Sequence, residues 1–191
     1  MIHINRNTAR NIIFGHQELG DLQLADLYPA QGIDKLQLCL GHIHLQDKSG
    51  NLLQIDQTYI QLITRTRQNF INSEYKNYQW VEQGWMMMLW QFVNLMDITF
   101  VDTSIWGPKP ARRNDTFIME EFLALKITDK ILHSLNKCRI YLQVLTMSDI
   151  STADGKMILP EVKKGEKPFY RCSILTWPIQ EMPSKEDWEH W

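Results

Sequence analysis

Apolar residues recur at helical spacing through the second half of the chain. From Thr128 onward Ile131, Leu135, Cys138, Leu142 and Leu145 step by four and three and so share one face of a helix. Thr128 reads as its cap, and the pattern predicts about five turns. Ile140 and Met147 lie on the opposite side, so the C-terminal half should be buried on two faces, as a central helix is. A shorter amphipathic helix precedes it, just after the basic pair Arg112-Arg113. Beyond it, Asp154-Gly155 predicts a two-residue hairpin turn between Ile150–Ala153 and Lys156–Leu159.

The first half follows the same logic. Ile12, Ile13 and Phe14 form an apolar cluster, and Leu22 and Leu24 alternate as an extended piece that Pro29 should close. From Gly32, the residues Ile33, Leu36, Leu40 and Ile43 predict a helix ending near Asp47, and Lys48-Ser49-Gly50 reads as a turn. A second helix carries Leu52, Ile55, Tyr59, Leu62 and Ile63 on one face. The polar, aromatic stretch 64–79 reads as a loop. Trp85, Met88, Leu89, Phe92 and Met96 then form a stripe, with Met87, Gln91 and Asn94 as its outer edge. Ile98–Val101 suits a strand, and Trp106-Gly-Pro-Lys-Pro a stiff linker. A second strand is expected near Tyr170–Leu175. Pro183-Ser184, with Asp187 in the capping-box position, starts a last helix that breaks off at Trp191. The expectation is a mainly α (α+β) fold: a helical domain of about five to seven helices with one small β-hairpin over residues 1–159, and a Pro-rich tail with the start of a truncated helix over 160–191.

Composition changes this picture little. With 191 residues, 44% of them hydrophobic and 22% charged, the chain can bury a real core as one domain. A formal net charge of −2 argues against a sequence-independent nucleic-acid binder acting through overall charge, while leaving room for local basic patches. Three widely spaced cysteines, Cys39, Cys138 and Cys172, form no zinc ribbon or disulfide framework and fit a reducing, intracellular setting, cytoplasm or nucleus. The longest strongly apolar run, Trp85–Trp90, is too short to span a bilayer, so no membrane partner is expected.

Candidate chemistry is sparse. Lys109, Arg112 and Arg113 flank Trp106, and Arg65 and Arg67 sit in the polar loop. Cations beside an aromatic are what phosphate contact and base stacking use, although a solvated charge cluster has the same composition. Arg139, one step off the apolar stripe, reads equally well as a helix-surface ion-pair partner. Cys39, His42 and His44 are the densest group of soft ligands, but no second group completes a metal site. Asp115, Glu120, Glu121, Asp149 and Asp154 would serve a metal-dependent nuclease only if they converge in space. Helix-end, outer-face and turn roles account for Asp115, the two glutamates and Asp154. No nucleophile elbow or phosphate-binding glycine loop is present, and Cys138 reads as an apolar filler. No catalytic residue, metal or cofactor is assigned.

Phe14-Gly15, Leu19-Gly20-Asp21-Leu22-Gln23-Leu24, Leu27-Tyr28 and Gln31-Gly32 resemble the segment that follows the polymerase core in non-LTR retrotransposon reverse transcriptases. The likeness continues through Gly41-His42, Asp47, Gly50, Trp85 and Trp90-Gln91-Phe92. It is most specific in Asn136–Val144 and Ser148–Gly155, and it extends to Trp177-Pro178 and Pro183…Trp188. The combination is similar to algal-type retroelement reading frames of microbial eukaryotes. Asp21 and Gln23 stand where that family favours glycine, and the polymerase's Tyr-x-Asp-Asp signature is absent.

The resemblance implies a non-catalytic, thumb- or connection-like segment that helps grip an RNA/DNA template–primer beside the polymerase domain of a parent chain. That parent would be an RNA-directed DNA polymerase, whereas this segment would not be an enzyme by itself. A protein-interaction or architectural module, docking through the Trp- and Met-rich helix at 85–96, is the alternative.

Overall fold

Among the described residues, four helices end beside a left-handed residue that is not glycine. The computed structural model describes residues 27–101, 112–169, 175, 177–178 and 180–191. These form α1 (Leu27–Leu45), α2 (Lys48–Thr64), two 3-10 turns (Phe70–Asn72 and Tyr75–Tyr78), α3 (Trp85–Leu95), α4 (Ile118–Ala124), α5 (Asp129–Leu142), α6 (Met147–Ile150), α7 (Pro160–Lys163) and α8 (Lys185–His190). The fold is mainly helical, as the periodicity predicts. Extended pairing among the described residues is confined to two isolated antiparallel bridges, Phe117–Thr146 and Ser151–Ile158. No described helix is long and apolar enough to cross a membrane.

The chain divides into two units, Met1–Gly50 and Asn51–Trp191. Residues 160–191 fall in the second unit with α5. In the first unit, α1 begins before Pro29, where the sequence predicts a stop. Proline is tolerated in a first turn, where its missing N–H would have no intrahelical acceptor. Gln46, at φ 52°, ends the helix. Lys48-Ser49-Gly50 is the first turn of α2, not a loop. Asp47 stands before it and accepts the Gly50 N–H at 2.7 Å, as a helix cap does. A Cβ at Gly50 would run into the His42 carbonyl.

The second unit is built around α5. Its stripe is buried at Leu135, Cys138 and Leu142, and Ile140 on the other side is buried as well. The helix nevertheless stops a turn or more early. Gln143 adopts a left-handed conformation (φ 61°), and the Val144 N–H turns back to the Arg139 carbonyl at 3.2 Å, closing a Schellman-type end. Leu145 remains buried, while Met147 is exposed on the separate one-turn helix α6. Ile118, Leu142, Val144, Ile150 and Val162 form one core cluster, flanked by Trp188 and Trp191. The capping box predicted at Ser184 and Asp187 is present and starts α8.

The stretch from 65 to 84 carries little regular structure but much of the packing. Trp90 of α3 meets Phe70 and Tyr75 edge-on, at centroid distances of 5.3 and 5.4 Å. Side-chain amides hold the backbone around it. Gln61 accepts the Phe70 N–H at 2.7 Å and donates to the Gln68 carbonyl at 2.9 Å. Asn94 accepts from Tyr75 and donates to Ile71. Asn72 bonds both the N–H and the carbonyl of Phe100, which supplies by one side chain what a neighbouring strand would have supplied. The strand expected at Ile98–Val101 is accordingly absent. On α3 the buried face is rotated from expectation: Met87 is enclosed and Met88 is 44% exposed.

The hairpin keeps one bridge. Thr152 N–H reaches Met157 O at 2.8 Å, leaving a four-residue loop in place of the expected two-residue turn, with Gly155 at φ 71°. The linker around Trp106 and most of the strand expected near Tyr170–Leu175 lie outside the described residues, as does the apolar cluster at 12–14.

Arg139 joins α5 to α2. Its Nη2 donates to the Leu62 and Ile63 carbonyls at 2.8 and 2.9 Å, and its Nε to Asn136 Oδ1 at 2.8 Å. Replacing Arg139 by Met strands two buried carbonyls, each costing about 1–3 kcal/mol. Denaturant unfolding of the variant should therefore show a loss of about 2–6 kcal/mol. A loss below 1 kcal/mol would mean that these bonds contribute little.

Candidate nucleic-acid interface

The basic candidates fall into different environments. Arg112 and Arg113 are exposed on a turn before α4, and Asn114 gives that turn its left-handed step (φ 67°). Asp115 anchors it: its N–H bonds Arg112 O at 3.1 Å, and its Oδ1 accepts from Thr116 and Ser148 at 3.0 and 3.3 Å. The Ser148 bond places Asp115 at the N-terminus of α6, across 33 residues of sequence, and not at the start of the helix that follows it. Arg67 reaches the same turn. Its Nη2 donates to Asp115 O at 2.9 Å, its backbone N–H to Glu120 at 2.8 Å, and its Nε lies 3.4 Å from Glu120 Oε2. The structure thus brings together Arg67, from the loop after α2, and Arg112 and Arg113, from the turn before α4.

Arg65 is not part of that surface. It is 1% exposed, with its guanidinium carbon 4.5 Å from the centre of the Phe117 ring. A cation held against a buried aromatic is a packing element. Arg139 is fully buried as well and is no surface ion-pair partner. Burial pulls it down to about 9, with Tyr78 opposing and Arg65 adding to the shift, which still leaves it charged at pH 7. Lys109 lies outside the described residues.

The carboxylates do not converge. Asp149 accepts from Leu145 and Thr146 N–H at 2.8 and 2.9 Å in a capping box. Asp154 holds its own turn through Thr152 and Lys156, Glu120 pairs with Arg67, and Glu121 is exposed. Among the described residues no three His, Cys, Asp or Glu side chains are grouped to hold a metal ion. His42 bonds Asp47 at 2.7 Å, and the Gly50 N–H, followed by His42, holds that carboxyl below its ordinary value. The Cys138 thiol is pushed up to about 12 by burial, with Asp187 adding and Lys137 opposing, so it is no nucleophile at neutral pH.

One further feature went unread in the sequence, a cleft of about 160 Å³ lined by Tyr59, Trp80, His133, Asn136, Lys137 and Ile140 among others. His133 stacks on Trp80, with centroids 4.7 Å apart and planes 15° from parallel. The available signal was the row His133, Asn136, Lys137 at helical spacing of three and four on an otherwise apolar helix. Compared with protein-family models, curated proteins and solved structures, the chain matches none.

Burial lowers the His133 pKa from 6.5, Lys137 lowers it further, and Asp187 opposes them. The folded protein therefore binds this proton less readily than the unfolded chain does. The stability it confers is complete above the ordinary histidine value and falls as pH drops through the folded one. An NMR titration should give a His133 midpoint below 6.5, and His133→Gln should lose less stability than the parent between pH 7 and 5. A midpoint at or above the ordinary value would contradict the assignment.

Proposed function

We propose that this chain is a non-catalytic helical module of a retroelement reverse transcriptase that engages the backbone of an RNA/DNA template–primer. The contact surface is Arg112, Arg113 and Arg67, with Lys109 next to them in sequence. The adjacent polymerase domain of the parent chain is the protein partner, and the cytoplasm or nucleus the setting. One observation carries the reading: two exposed arginines stand on a turn that Asp115 and Arg67 brace from behind. A phosphate contact needs a cation that is exposed yet positioned, since ordering a loose side chain costs conformational entropy. Among the described residues Arg112 and Arg113 make no ion pair, while Arg67 is shared with Glu120 and is the weaker contributor.

A second reading rests on α2. Leu52 and Ile55 are 68% and 66% exposed at helical spacing, with Tyr59 one turn on, which is how a helix presents anchors to a protein groove. The helix at 85–96 serves this role less well, since Met86, Met87, Leu89, Trp90, Phe92 and Val93 are all buried.

Salt dependence separates the two. Replacing Arg112 and Arg113 together by Ala should weaken binding to an RNA–DNA hybrid. It should also lower the slope of log K against log salt by about 2, one unit per arginine. Lys76→Ala, which removes one exposed lysine paired with Glu74, should leave affinity and slope nearly unchanged. Equal affinity and slope for the parent and the double variant would refute the interface.

A further inference from the structure

One carboxylate of α2 is half-buried with nothing to balance it. Asp56 is partly withdrawn from water, and among the described residues it makes neither a hydrogen bond nor an ion pair. Burial alone holds its carboxyl above the ordinary value. An ionised carboxylate that loses water without gaining a cation or a donor is unfavourable. Asp149, Asp154 and Asp187, by contrast, each accept hydrogen bonds.

The neighbours of Asp56 along the helix are apolar. Leu52, Ile55, Asp56, Tyr59 and Ile63 lie at i, i+3, i+4, i+7 and i+11 and so share one stripe of α2. Leu52, Ile55 and Tyr59 are 68%, 66% and 46% exposed. Ile63 is buried and, with Tyr59, lines the cleft that also holds Trp80. The stripe thus runs from open helix surface into a cavity, with the acid at its middle.

That acid discriminates between occupants. A second copy docked through the same stripe about a two-fold axis would bring the two Asp56 carboxylates together near the axis, where like charges repel. Nucleic acid or an acidic lipid surface would bring phosphates to the same point, with the same result. A helix with a cation at the middle of an apolar face relieves the charge instead. Anchors three and four residues apart are also what one helix presents along the length of another.

We propose that α2 docks an amphipathic partner helix with an apolar face and a central basic residue. Its apolar residues lie against Leu52 and Ile55, its arginine or lysine against Asp56, and a bulky apolar side chain enters the cleft beside Tyr59 and Ile63. This rests on the protein-docking reading of α2 and is independent of the arginine turn.

Three synthetic peptides of about 18 residues, long enough to hold a helix of their own in water, test this when titrated into the full chain. All carry leucines at helical spacing on one face and a phenylalanine at its end. The residue at the centre of that face is arginine, glutamine or glutamate. The arginine peptide should bind about threefold to tenfold more tightly than the glutamine peptide, and the glutamate peptide more weakly still. Binding should move the Asp56 carboxyl and Trp80 indole resonances. Asp56→Asn, isosteric and at a position that pairs with nothing, should fold and bind the arginine and glutamine peptides equally. Ile55→Gln should weaken all three without changing their order, and replacing Arg112 and Arg113 by Ala should leave all three affinities unchanged. Equal affinity of the arginine and glutamine peptides for the parent, or the same preference persisting in Asp56→Asn, would overturn the basic partner while leaving the docking face intact. Absence of binding by any peptide at about 1 mM would remove both.

Discussion

A buried arginine sets the terms for the larger unit. The last carbonyls of a helix have no intrahelical partner, and at the end of α2 they point inward. Arg139 satisfies two of them, at Leu62 and Ile63. Taking a guanidinium out of water is unfavourable, and only close acceptors compensate for it. The charge and the carbonyls therefore need each other, and together they fix where α5 stands relative to α2. Neighbouring polar groups follow the same pattern. Tyr78 donates to Thr64 O at 3.2 Å, and burial pushes its phenol well above the ordinary range, so it stays a neutral donor. Thr64 donates back to Ile60 at 3.0 Å.

Much of the helical framework was readable from spacing and caps, because those signals are local. The stripe on α5 and the Ser184 capping box each involve residues within a turn or two of one another. What escaped reading was nonlocal or conformational. Gln46, Asp97, Lys126 and Gln143 all take left-handed conformations next to helix ends. Glycine would have announced such sites in the sequence, but these side chains do not. This is why α5 was expected to run through Leu145. Asn72 satisfying Phe100 from 28 residues away likewise leaves no trace in periodicity, so an apolar run read as a strand without being one.

The candidate surface was legible in part, and for the same reason. Arg65 and Arg67 look alike in sequence, yet one packs on Phe117 and the other reaches Asp115 and Glu120. Composition cannot separate a cation used in packing from one exposed to solvent; only the tertiary partners do. Arg112 and Arg113 follow a Pro-containing stretch and precede an Asp that anchors their turn, which is why a local reading placed them on a polar approach to α4.

Asn136 connects the structural constraint to the cleft. An amide in a helix is ordinarily free to present either face, and a cleft beside it would be chemically ambiguous. Here Arg139, held by the α2 carbonyls, consumes the oxygen and fixes the amide's orientation. The same charge that joins two helices thus decides that the donor side of the amide is the one left unbonded. Any change that frees Arg139 from α2 also frees Asn136 to rotate, so the orientation of that amide is subordinate to the packing of the two helices.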